Sequence, residues 1–216
     1  MDGAASRRTP VVRTATLLVG IALTGAGIAG MLRARLGTDP FDAINASVGR
    51  LTGWSVGAAS WIDVAVVLAV AWALGRRPRI GTAVVGLGIG LVIDLGLVVL
   101  PVEHGTVVRA ATAVAALAVL YVGVAGYVVS GLGAGALEEL MLALVARGAR
   151  IRTARWGIEA VLLGVALALG GPIGIVTVAF VVLTGPVLGV AIPATARLLG
   201  LPLPEHDPDI PLGDIR

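Results

Sequence analysis

Three acids stand in stretches that are otherwise apolar: Asp63, Asp94 and Glu159. An acid in the middle of a membrane helix costs about 2.5–3.5 kcal/mol on insertion scales, so it tends to be paired or to face a polar cavity. Carboxylates in that setting can take up a proton or coordinate a cation. Arg155 precedes Glu159 by four residues, which puts both on one helix face, so a helix-end salt bridge is the competing reading there. A second set of acids sits in two glycine-rich turns. Asp39 and Asp42 frame Pro40 as N-cap, N1 and N3 of a helix, and Glu138 and Glu139 follow Gly135-Ala136-Leu137 in the same way. Capping and pairing with the helix dipole account for these acids. The alternative is that both helix N-termini open on a vestibule that holds a polar solute.

Other chemistries lack their residues. There is no Cys, and the two histidines are His104 and His206, so neither a metal site nor a metal or organic cofactor is expected. All 16 basic residues are Arg, which excludes a Walker A lysine, and there is no Gly-x-Ser-x-Gly elbow. Asp63 and Asp94 invite comparison with aspartyl intramembrane proteases, but Gly-x-Gly-Asp is absent. The chain is not expected to be an enzyme. Basic patches with interleaved aromatics are missing, so no nucleic-acid partner is expected despite a pI near 10.5.

The elements that carry these acids must lie in lipid. The 216 residues are 57% hydrophobic and 13% charged, with a mean hydropathy of +0.99, more apolar side chain than a soluble domain can hide. A bilayer crossing takes roughly 20 apolar residues. Six stretches meet or approach that length: Val11–Leu32, Gly53–Gly75, Ile80–Leu100, Val107–Val129, Thr153–Gly170 and Gly174–Ala194. The first is too long for a signal core and is expected to stay as a helix. Two shorter segments, Pro40–Leu51 and Ala136–Arg147, cannot span and read as amphipathic half-helices, either interfacial or dipping in and returning.

The half-helices belong to a repeat. Leu36-Gly37-Thr38-Asp39-Pro40-Phe41-Asp42 is echoed 96 positions later by Leu132-Gly133-Ala134-Gly135-Ala136-Leu137-Glu138, and that shift also pairs Asp63 with Glu159. A shift of 95 then pairs Leu74-Gly75 with Leu169-Gly170 and Thr82 with Thr177. Each copy holds three spans and one half-helix. An odd number of crossings turns the second copy over relative to the first, so the expected fold is all-α, an inverted 3+3 repeat. The first repeat covers residues 1–105 and the second 106–200. Residues 201–216 form an acidic, Pro-rich tail expected to lack packed structure. With the N-terminus inside, twelve arginines fall on the cytoplasmic side and four outside, which puts both termini in the cytoplasm.

These motifs resemble the YczE/YyaS/YitT-type bacterial membrane proteins. The first half is similar to that family's Leu-Gly-x-x-Pro-[aromatic]-Asp turn at Leu36–Asp42, with Gly81-Thr82 and Ile93-Asp94 as further matches. The second half resembles its Gly-Ala-Gly-Pro-Arg-Asp-Gly-Leu-Met signature at Gly133–Met141, its Arg-x-x-x-Glu at Arg155–Glu159, and its Gly-Gly-x-x-Gly-x-x-Thr at Gly170–Thr177. Ala136, Leu137 and Glu139 stand where that pattern has Pro, Arg and Gly, and Val176 replaces a Gly. The resemblance implies a protein of the bacterial inner membrane and brings no settled activity. The residues themselves suggest a small secondary transporter or permease, with Asp63 and Glu159 as repeat-related groups for a proton or cation. The alternative is a non-transporting assembly factor or regulator of another membrane-bound system. Expected partners are the bilayer, a small solute or a proton or cation, and a second copy or another membrane protein; small-xxx-small spacings such as Gly185/Gly189 let helices approach closely.

Overall fold

A computed structural model describes residues 2–77, 79–102 and 104–202, with the side chains of residues 1–9, 151 and 152 left aside. The expected tail therefore lies almost wholly outside the described residues. Among the described residues eight helices follow one another: α1 (Asp2–Ala34), α2 (Pro40–Thr52), α3 (Val56–Ala73), α4 (Ile80–Val99), α5 (Thr106–Ser130), α6 (Ala136–Val145), α7 (Ile151–Ala168) and α8 (Ile175–Leu199). The described residues form no strand.

Five helices are long and apolar enough to cross a membrane: Pro10–Ala34 of α1, then α3, α4, α5 and α8. The sixth expected span, α7, has 18 residues but carries Arg152, Arg155 and Glu159 in its first half. With 13 and 10 residues, α2 and α6 rise only about 20 and 15 Å, half a bilayer core. Helix α8 does not end near Ala194, where the expected span does. The helix runs through Pro186 and Pro193 to Leu199 and closes at Gly200.

The long helices α1 and α5 cross at the centre, where Leu17, Ile21, Ile28 and Met31 pack on Leu117, Leu120, Tyr121 and Val124. Gly20 lets the two backbones meet, since a Cβ there would lie 2.8 Å from Gly123 O. Around this pair, α4 packs on α1 and α8 packs on α5. The half-helices do not stay with their own halves: α2 packs on α7 as well as α3, and α6 packs on α3 as well as α7.

The two repeated Leu-Gly turns explain this exchange. The turn after α1 docks on the start of α8, where Leu36 O accepts from Val176 N–H at 3.1 Å, Thr38 O accepts from Thr177 Oγ1 at 2.6 Å, and Thr38 N–H donates to Pro172 O at 3.2 Å. The turn after α5 docks on the start of α4, with Leu132 and Gly133 pressed onto Gly81 so closely that any side chain at 81 would collide with Leu132 O. Gly37 takes φ +105° with Gly174 against it, a combination only glycine meets without strain. Arginines then fasten helix ends, as cations do at helix C-termini. Arg109 reaches Ala34 O and Arg35 O, Arg33 reaches Leu97 O, Arg50 reaches Leu169 O at 2.7 Å, and Arg147 reaches Ala73 O at 3.4 Å.

Candidate functional site

The N-termini of both half-helices meet at one cavity of about 150 Å³ to which all eight helices contribute. Asp39 and Pro40 begin α2 there. The Asp39 Oδ1 accepts from Asp42 N–H at 3.1 Å, the expected cap, and Thr38 Oγ1 lies 3.3 Å from Asp39 Oδ2. Asp42, 5% exposed, accepts from Asn45 Nδ2 at 3.1 Å. Burial, and then the neighbouring Asp39 carboxylate, push the Asp42 carboxyl well above the ordinary carboxylate range. The second half-helix starts at Gly135, which has no side chain to cap with. Glu138 Oε2 fills the space that a side chain at 135 would occupy, with Tyr127 Oη beside it.

The opposite wall comes from α5, α7 and α8. Tyr121 stacks on Phe180 with ring centroids 6.2 Å apart, and its Oη lies 3.2 Å from Thr184 Oγ1. The Arg155 guanidinium pairs with Glu159 Oε1 at 2.9 Å, while Glu159 Oε2 is buried with no hydrogen-bond donor within reach. Arg155 and Glu159 both line the cavity, so the anticipated salt bridge exists and leaves half of the carboxylate uncommitted.

The anticipated partnership of Asp63 with Glu159 is not what the fold brings together. Asp63 does not line the cavity, and its Oδ2 is buried without a partner elsewhere on α3. The reason is register. Helices α3 and α7 begin at 56 and 151 and end at 73 and 168, so the shift of 95 already holds throughout them. Val64, not Asp63, corresponds to Glu159, and one residue turns a side chain by about 100° on a helix. Val64 and Glu159 both line the cavity, as do the corresponding Ser60 and Arg155, Val85 and Phe180, and Ile89 and Thr184. A signal for this register was present: it aligns Trp61 with Trp156, two of only four tryptophans in the chain.

Two other singled-out acids are tied into packing. Asp94 accepts from Ser55 Oγ at 2.6 Å and from Gly57 N–H at 2.8 Å, clamping the start of α3 to α4. Glu139, 2% exposed, forms an ion pair with Arg76 and accepts from Thr82 Oγ1 at 3.2 Å, which locks α6 to the start of α4. Neither lines the cavity. Among the described residues no group of three or more His, Asp or Glu is placed to hold a metal ion. Among the wall residues that carry no local sequence signal are Tyr121, Tyr127, Phe180 and Thr184.

The two sides of the cavity differ in closure. Along α3 and α4, Trp61 Nε1 donates to Leu87 O at 3.0 Å, and a Cβ on Gly90 would stand 2.6 Å from Ser60 Oγ. Helices α7 and α8 make little contact with each other along the described residues. Gly185, which corresponds to Gly90, meets nothing within 4 Å, and Trp156, which corresponds to Trp61, is 68% exposed.

Apolar helices of spanning length around a small, mostly apolar cavity that also holds a few acids define a polytopic α-helical membrane protein. The chain belongs to the family of unknown function DUF6198, whose model matches residues 11–193. It is 33% identical over 190 residues to the "Uncharacterized membrane protein YczE" of Bacillus subtilis (strain 168), covering 85% of this chain and 83% of that one. No solved structure matches the chain.

Proposed function

We propose that the protein is a small secondary transporter or permease of the bacterial inner membrane, and that the central cavity is its solute site. One observation carries this reading: a single cavity takes corresponding positions from both halves of the chain, including both half-helix N-termini. Repeated membrane folds place solute sites at such a meeting point, where discontinuous helices end. The reciprocal docking of each Leu-Gly turn on the opposite half supports an inverted relation between the repeats. The arginine bias supports cytoplasmic termini. In this reading α2 and α6 are re-entrant, and alternating access exchanges the states of two seams. The seam between α3 and α4 is closed while that between α7 and α8 is open, and the reverse arrangement faces the other side. An assembly factor or regulator would leave the cavity without a role.

The test is uptake by proteoliposomes holding the full chain, against a panel of labelled cations, amino acids, sugars and anions, with Glu159→Gln alongside. The expected outcome is saturable uptake of one solute class, reduced at least tenfold in the variant. Vesicles that move nothing in the panel contradict the proposal.

A further inference from the structure

The chain has two phenylalanines and two tyrosines, and all four line the cavity, whereas none of its four tryptophans does. The same wall holds the carboxylates of Asp39, Glu138 and Glu159, beside the Asp42 carboxyl, against one guanidinium, Arg155. Aromatic faces and carboxylates together favour a positive charge, the faces through the ring quadrupole and the carboxylates by direct attraction.

The two helix N-termini might be thought to favour an anion instead. They are already engaged. Pro40 has no N–H, Asp39 takes the Asp42 N–H at 3.1 Å, and Glu138 lies across the start of α6. An incoming anion would have to displace these carboxylates. A small hard cation such as Mg²⁺ or Ca²⁺ needs about six to eight oxygens converging on one point, and no three acids among the described residues do so. A cation with its charge spread over alkyl groups needs no such cage. It needs apolar and aromatic walls and one carboxylate oxygen without a partner, and Glu159 Oε2 is such an atom. The volume, about 150 Å³, matches a cavity that takes a benzene-sized molecule.

We propose that the cavity binds a small organic cation of the alkylammonium class, an inference that rests on the cavity being the protein's solute site. Glu159 supplies the countercharge, Tyr121 and Phe180 form the wall against the alkyl groups, and Arg155 holds the Glu159 carboxylate in place. The test is calorimetric binding to the purified full chain in nanodiscs, with methylammonium, tetramethylammonium and choline as cations, 3,3-dimethylbutan-1-ol as the uncharged counterpart of choline, and acetate as an anion. The expected result is that at least one quaternary cation binds, and that choline binds at least tenfold more tightly than its uncharged counterpart. Glu159→Gln should lower cation affinity at least tenfold, and Phe180→Leu threefold or more, in samples that remain monodisperse. The comparison of charged and uncharged ligands on the unaltered chain stands even if a variant does not fold. Equal binding of choline and the alcohol, preference for acetate, or no binding of any of the three cations overturns the proposal. Cation binding without uptake leaves this inference standing and removes transport, whereas uptake of a sugar or anion without cation binding does the opposite.

Discussion

The seam between α3 and α4 and the seam between α7 and α8 are made from corresponding positions, yet only the first is closed. In the first, Gly90 seats Trp61 and Ser60, and Asp94 ties the start of α3 to α4. In the second, a Cβ on Gly185 would meet nothing within 4 Å, and Gly189 stands where Asp94 would correspond. One half thus shows how the pair of helices packs when shut, and the other shows the same pair apart. In the transport cycle proposed above, the two halves exchange these states.

The turns offer the same kind of contrast, and it gives the largest expected effect. The turn after α1 docks through backbone and threonine bonds, whereas the segment after α5 adds the buried Glu139–Arg76 pair and Thr82. Replacing Glu139 by Leu removes its charged bonds to Arg76 and to buried Thr82 and should cost about 2–3 kcal/mol in reversible denaturation in detergent. Thr177→Val, the nearest counterpart in the first docking, should cost about 1–2 kcal/mol. Equal losses would erase the contrast.

The seams come next in size. Gly90→Leu overfills a closed seam and should destabilise by about 1–3 kcal/mol, while Gly185→Leu should stay within about 0.5 kcal/mol in the same assay. If closure of α7 on α8 is part of the cycle, Gly185→Leu should nevertheless stop uptake. Asp94→Ala removes two helix-capping bonds at the shut seam and should cost about 1–2 kcal/mol, with no matching loss for Gly189→Ala. The smallest effects belong to the arginines at helix ends. Arg50→Ala should cost about 0.5–1 kcal/mol and Arg147→Ala less, since Arg50 bonds two carbonyls at 2.7 and 3.1 Å and Arg147 one at 3.4 Å.

Much of this architecture is legible in the sequence. Long apolar runs broken by Gly, Pro and Arg give the helix order, and Asp39-Pro40 marks the start of α2 because its cap is a local, side-chain-to-backbone feature. The Arg155–Glu159 pair is legible for the same reason. The faces of the long helices are not. In lipid the outward face is as apolar as the inward one, so Val178 and Val182, both exposed on α8, look no different from buried Val176. Without an amphipathic stripe, nothing local fixes the register of α3 against α7, and the pairing of Asp63 with Glu159 is one residue off. The gathering of Phe41, Tyr121, Tyr127 and Phe180 at one cavity depends on how five or more helices meet, which no local pattern encodes.

The exchange of seam states can be tested directly because the chain has no native Cys. A Trp156→Cys, Gly185→Cys double variant in native membranes would be oxidised and assayed for a crosslink, with Val64→Cys, Gly86→Cys as the control at the shut seam, where a Cβ on Gly86 stands 3.4 Å from Val64 Cβ. The account predicts that both pairs crosslink, and that the α7–α8 bond blocks uptake until it is reduced. A control pair that crosslinks while the α7–α8 pair never does would contradict it.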